Sequence, residues 1–293
     1  MRIVFIGAVR FSASMLDALL GMKAEIVGMC TLSHAPANAD HADLSEQARR
    51  AGIPVLDTPD INAVDVIEWI RGLAPDVIFC CGWSRLIRQE LLSLAPLGVV
   101  GYHPAALPAN RGRHPLIWAL ALGLDEAAST FFFMDEGADS GDIVSQVPVP
   151  IHATDDAASL YERVTEVAAD QIRDLVSALA SGEYVRRPQD KRQANLWRKR
   201  GRADGQIDWR MNAASIHNLV RALAKPYPGA HFLHQGSEFK VWKSEVVSEA
   251  RRNLEPGKVL AVESGGIIVK AGEDAVRMLV IEPMPALRPG DYL

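Results

Sequence analysis

The chain has 293 residues, 48% of them hydrophobic and 23% charged, with a formal net charge of −5. That is material for one large domain or two ordinary ones. It excludes a low-complexity chain and one whose whole surface grips nucleic acid. Three cysteines without CxxC spacing make neither a disulfide framework nor a zinc site, and no apolar run reaches 18 residues. The expectation is a soluble, cytoplasmic protein without a metal and without a membrane segment.

The first half alternates short β-branched runs with helical patterns. RIVFIG (2–7), AEIVGMCTL (24–32), PDVIFCCGW (75–83) and GVVGYH (98–103) read as strands. SMLDALLGM (14–22), LSEQARRAG (44–52), AVDVIEWIRGL (63–73) and RQELLSLAP (88–96) read as the helices between them, with IPVLD (53–57) as a short extended piece. PLIWALALG (115–123) and STFFFMDEG (129–137) complete the series. The run at 75–83 is apolar on both faces, as a parallel sheet covered on two sides requires. This order predicts an open, mostly parallel, Rossmann-like α/β sheet over 1–184.

A long amphipathic helix is predicted over 156–182. After it, VRRPQDKRQANLWRKRGRADG (185–205) holds eight basic residues against two aspartates. Lacking apolar periodicity, 185–203 reads as an inter-domain linker. Beyond it, a helix at 213–224 and short strands at 238–247, 257–263 and 266–272 predict a small, OB-like β-barrel domain over 204–293.

His103 stands at the carboxyl end of a predicted central strand, where open α/β sheets bind ligands. Alone it is equally a strand-end histidine bonded to a carbonyl. Its loop, GYHPAALPANRGRHP (101–115), is stiffened by Pro104 and Pro108 and carries Arg111 and Arg113 around Gly112, a form suited to an anion. A second strand ends in MDEGADSGDI (134–143), whose aspartates are turn formers by default. At the same sheet edge, one of them can orient the histidine and stabilise its charge.

These two loops resemble those of the folate-dependent formyltransferases, whose signature is Asn-x-His, LLP and RG, then an Asp in a DxGxDxGxI loop. The matches are GYHPAALPANRG (101–112) and DEGADSGDI (135–143). The resemblance extends to DVIFCCGWSRLI (76–87), DGQIDW (204–209), IHNLVRAL (216–223) and KPYPGAHF (225–232), nearly the whole chain. It implies that His103 and Asp139 are the catalytic pair and that 10-formyltetrahydrofolate is the donor. Trp83, Arg85, Leu86, Ile87 and Gly137, with Asp139, would hold the folate. His103 would stabilise the oxyanion that forms when an amine attacks the formyl carbon and would shuttle the amine's proton, with Asp139 fixing the ring.

One position departs from the signature. The family's asparagine, two residues before the histidine, is here Gly101, and losing one oxyanion donor typically costs on the order of 10²–10³ in rate. Three readings are open: a substitute donor such as Asn110, a backbone N–H or an ordered water; an unusual acceptor that needs the space; or a binding paralogue without turnover.

Two acceptors suit a two-domain formyltransferase: methionyl-tRNA and an amino sugar carried on a nucleotide. The tRNA reading calls for a basic insertion, yet residues 30–45 contain no Lys or Arg. The wording of 202–209 and 225–232 resembles bacterial enzymes acting on UDP-4-amino-4-deoxy-arabinose and related nucleotide sugars. That likeness implies a role in surface-polysaccharide or lipid A precursor synthesis, a homodimer, and no nucleic-acid partner. Arg113 and Arg10 would then meet the diphosphate and Tyr227 would stack on a sugar or base, against the plainer readings of a surface arginine and a turn tyrosine. Hydrolysis of formyltetrahydrofolate without an amine is the remaining alternative.

Overall fold

The computed structural model describes residues 1–34 and 39–293, so part of the 30–45 stretch read for a basic insertion lies outside the described residues. The chain divides into two compact units. One comprises Met1–Pro115, Ala127–Val149 and Glu162–Trp197, the other Leu116–Glu126, Pro150–Tyr161 and Arg198–Leu293.

In chain order the elements are β1(Arg2–Ile6), α1(Arg10–Gly21), β2(Glu25–Thr31), α2(Ser45–Arg50), β3(Val55–Asp57), α3(Val64–Gly72), β4(Val77–Cys80), α4(Gln89–Leu92), β5(Val99–His103), β6(Arg111–Gly112), α5(Pro115–Ala121), β7(Glu126–Phe133), β8(Ile143–Pro150), α6(Ala157–Ser181) and β9(Leu196–Trp197). A seven-stranded sheet runs β3-β2-β1-β4-β5-β7-β8. Its β1–β2, β1–β4, β2–β3 and β4–β5 pairs are parallel, and β5–β7 is antiparallel. The mostly parallel, Rossmann-like expectation is met.

The centre of the sheet is the driest part of this unit. Ile3, Val4, Phe5 and Ile6 of β1 and Val77, Ile78 and Phe79 of β4 are fully buried, which is why these strands read as unbroken apolar runs. All three cysteines lie in this core. Burial pushes the thiols of Cys30 and Cys80 up to about 12 and raises that of Cys81. β8 has no counterpart among the predicted elements, because Pro148 and Pro150 argue against a strand. It lies at the sheet edge, where a missing ladder donor is tolerated.

The stretch predicted as a linker is built into the first unit as far as Trp197. β9 pairs in parallel with β6, Arg111 opposite Leu196 and Gly112 opposite Trp197. Main-chain pairing needs no apolar periodicity, so a basic, aperiodic segment can still form a ladder.

In the second unit, α7(Ala213–Ala222) begins at Asn212, whose side chain accepts from the N–H of Ser215 at 2.7 Å, a regular N-cap. The strands β10(Ala230–His234), β11(Ser237–Val247), β12(Val259–Glu263), β13(Gly266–Lys270) and β14(Ala275–Glu282) form one antiparallel sheet in the order β10-β11-β14-β13-β12. Among the described residues, no helix is long and apolar enough to cross a membrane.

Candidate active site

Two loops leave the ends of β5 and β7 and meet at one histidine. His103 is buried at 4% exposure. Its Nε2 lies 2.7 Å from the carbonyl oxygen of Asn110. A carbonyl can only accept, so Nε2 carries a hydrogen and donates it. Nδ1 then faces Asp139, with Oδ2 at 3.5 Å, close enough for charge attraction and too far for a full hydrogen bond. The same carboxylate oxygen accepts from the backbone N–H of Gly112 at 2.9 Å. A proton arriving at this ring lands on Nδ1, beside a carboxylate.

The loop geometry explains why these residue types sit here. Asn110 and Asp139 both adopt positive φ, 63° and 53°, a conformation that Asn and Asp accept more readily than other side chains. Gly112 has φ 102°, and a Cβ there would meet the Trp197 carbonyl oxygen at 2.4 Å, so only glycine lets β6 approach β9. Asn110 therefore acts on His103 through its main chain. Its carbonyl holds the ring and its N–H donates to Asn195 Oδ1 at 2.7 Å.

Gly101 is packed against a side chain. A Cβ at this position would lie 2.8 Å from Met134 Cγ, 3.0 Å from Met134 Sδ and 3.2 Å from Phe132 Cζ. Register places Gly101 opposite Phe132, so Met134, two residues on, is its same-face diagonal neighbour. The volume that an asparagine side chain would occupy is filled by a thioether. That counts against two of the open readings, an ordered water in vacated space and an acceptor that needs the room.

The segment after β4 also lies in this unit. Trp83 packs against the core cluster of β1, β4 and α3, and its indole Nε1 is buried with no hydrogen-bond partner. Ile87 is buried, while Leu86 is 63% exposed. The segment is tied down at several points: Arg85 donates to the Pro59 carbonyl, Asn62 donates to the Leu86 carbonyl at 3.0 Å and accepts from Arg88 N–H at 2.8 Å. A braced loop that carries both an orphaned indole donor and an exposed leucine fits a flat heteroaromatic ligand with an acceptor at its rim.

Other predicted residues are placed less centrally. Gly137 sits in an exposed turn, donating to Asp135 Oδ1 at 3.0 Å. Arg113 donates to the Ser84 carbonyl at 2.7 Å, which links the histidine loop to the Trp83 segment. Arg10 pairs with Asp40 at 3.2 Å. Tyr227 belongs to the second unit, after the cis Lys225–Pro226 bond, with its N–H on the Ala224 carbonyl at 3.0 Å. Sequence reasoning missed Met134, Gln189 and Asn195. Only the strand register and side-chain amide contacts reveal them.

Two family models match the chain, a formyl transferase model over residues 1–176 and a formyl transferase C-terminal domain model over 200–287. A methionyl-tRNA formyltransferase of Acidithiobacillus ferrooxidans is 32% identical over 286 residues, 96% of this chain and 91% of that one. Among solved structures, HypX from Aquifex aeolicus superposes with a TM-score of 0.68 at 21% identity, over 94% of this chain; the match spans 43% of that longer protein. An N-formyltransferase from Helicobacter canadensis, solved with folinic acid and dTDP-3-aminofucose, gives 0.70 at 15% identity over 94% of this chain and 98% of that one.

Proposed function

The chain belongs to the formyl transferase family, and on that premise we propose that it moves a formyl group from 10-formyltetrahydrofolate to the amine of a nucleotide-linked amino sugar. The folate supplies the formyl carbon. The chain's own residues then have defined tasks. Trp83 Nε1 and Leu86 hold the flat ring of the donor. His103 enters with its hydrogen on Nε2, so Nδ1 takes the proton released as the amine attacks and returns a proton to the departing tetrahydrofolate nitrogen as its bond to the formyl carbon breaks. Asp139 keeps the ring oriented and lies beside the charge it acquires. The protonated ring offsets negative charge growing on the formyl oxygen, a task the side chain at 101 does not share.

The choice of acceptor is carried by how the positive charge is committed. In the first unit, Arg186 stacks on Phe133 at 3.5 Å and Arg192 pairs with Asp190 at 2.8 Å. In the second, Arg198 pairs with Asp204, Arg202 with Glu238, and Arg200 stacks on Trp118 at 4.4 Å. Much of the basic run is thus already paired or stacked on groups of this chain at its surface, whereas gripping an RNA backbone calls for Lys and Arg free to displace counterions. The product would serve surface-polysaccharide or lipid A precursor synthesis. The second reading, methionyl-tRNA formylation, is favoured by the 32% identity to a full-length enzyme of that name.

The separating experiment offers the protein formyltetrahydrofolate with UDP-, dTDP- and GDP-linked amino sugars, with methionyl-tRNA, and with no acceptor, read by mass spectrometry. A formylated sugar supports the proposal. Formyl-methionyl-tRNA as the sole product replaces it with the second reading, and formate without an acceptor replaces it with hydrolysis.

A further inference from the structure

The segment from Arg187 to Trp197 carries no residue assigned to the chemistry above, yet it touches both loops that do. On the aspartate side, Arg187 and Ile143 exchange two backbone hydrogen bonds of 2.9 Å. On the histidine side, Arg111 N–H donates to the Asn195 carbonyl at 3.1 Å and Arg113 N–H to the Trp197 carbonyl at 3.0 Å. Gln189 joins the two sides with one side chain. Its Nε2 donates to the carbonyls of Asp139, at 2.9 Å, and Gly141, at 2.6 Å. Its Oε1 accepts from Nε and Nη2 of Arg111, at 3.1 and 2.6 Å. Both N–H groups and both lone pairs of the amide are used.

This tie matters because of what it holds. Asp139 sits at φ 53°, a sparsely populated backbone region that aspartate enters more readily than most side chains but that still needs support from its surroundings. Residues 135–138 before it are exposed and give it little packing. Gln189 grips the main chain of Asp139 itself, and Arg111 is the immediate neighbour of Gly112, whose N–H donates to the Asp139 carboxylate. The position of Oδ2 relative to His103 Nδ1 is thus set from both sides through one amide.

We propose that Gln189 is a positioning residue for formyl transfer, one that fixes the carboxylate of Asp139 against His103 by tying the Asp139–Gly141 backbone to Arg111. The proposal rests on His103 and Asp139 being the catalytic pair, and it is independent of which amine is the acceptor. The chemistry of the amide is specific. A glutamate in its place keeps the Arg111 contact but turns an anionic oxygen toward two carbonyls.

The test uses Gln189→Glu and Gln189→Ala in the full chain, with turnover and hydrogen exchange measured together. A misplacement near 1 Å at a reacting group costs up to about 10²-fold, so kcat is expected to fall about 10- to 100-fold in both variants. KM for formyltetrahydrofolate and for the acceptor should stay within about twofold, since the Gln189 amide is fully engaged by protein groups and has no hydrogen-bonding capacity left for a ligand. Exchange at the Gly112 amide should rise about tenfold or more, with amides of β1 and β4 unchanged. The glutamate variant, which keeps the Arg111 contact, covers the case in which the alanine variant does not fold. An unchanged kcat, a rise in KM alone, or unaltered exchange at Gly112 overturns the proposal. If the wild-type protein formylates no acceptor, the formyl-transfer reading fails by itself, and Gly112 exchange still decides whether the tie exists.

Discussion

Gly101→Ala adds a single methyl at the site's least expected position, and the structure fixes what it meets. The new Cβ would stand 2.8 Å from Met134 Cγ, 3.0 Å from its sulfur and 3.2 Å from Phe132 Cζ. Met134 is the nearer obstacle and packs against Leu107, Phe132 and Ile143, whereas Phe132 Cζ needs to yield only a few tenths of an ångström. Overpacking of this kind costs about 1–3 kcal/mol. At about 2–4 °C per kcal/mol for a unit of this size, Tm should drop by about 2–12 °C. Calorimetry on wild type, Gly101→Ala, Met134→Ala and the double variant separates the contact from its surroundings. With Met134 shortened, the same methyl should cost less than about 0.5 kcal/mol, a coupling far outside additive behaviour. An unchanged Tm in Gly101→Ala, or equal costs in both backgrounds, would refute the claim that Met134 fills this volume. The functional corollary concerns Gly101→Asn. Its amide must enter the same occupied space, so kcat should not rise unless Met134 is shortened as well.

Three further expectations follow from other parts of the chain. Cys30, Cys80 and Cys81 are buried with raised thiol pKa values, so the native protein at pH 7.5 should be inert to a thiol reagent and the denatured protein should react at all three; rapid native labelling contradicts this. The Arg198 guanidinium and the Gly201 N–H hold the Asp204 carboxyl well below the usual range. A depressed carboxyl contributes stability above its unfolded pKa and loses it as pH falls, so the Tm deficit of Asp204→Asn should be present at pH 7 and shrink steadily below about pH 4; a deficit constant with pH contradicts the pairing. Trp83→Phe removes the orphaned indole donor while keeping an aromatic ring, so KM for formyltetrahydrofolate should rise about 3- to 10-fold with kcat little changed; an unchanged KM removes Trp83 from the folate site.

The sequence carried the frame of this molecule because the frame is made of burial. β1 and β4 are legible as apolar runs and α6 as a 25-residue amphipathic repeat. His103 and Asp139 were legible for a different reason: their loops hold an unusual set of prolines, glycines and charges at strand ends. The partners of that pair left no such trace. Gln189 and Asn195 lie in a basic stretch without periodicity, and they act through amide hydrogen bonds to main-chain atoms. Met134 meets Gly101 only because β7 runs antiparallel to β5 in one register, and a shift of one residue would turn it to the other face. Position 101 is therefore conspicuous in the sequence as a missing amide, while the residue filling its place is visible only in three dimensions.

The most direct test of the site is the formylation rate of wild type against His103→Ala, measured with saturating formyltetrahydrofolate and the amine acceptor identified from the panel. Removing the group proposed to take the amine's proton should lower kcat by about 10²–10⁴-fold. A His103→Ala protein that formylates its acceptor at the wild-type rate would contradict the assignment of His103 as the catalytic base.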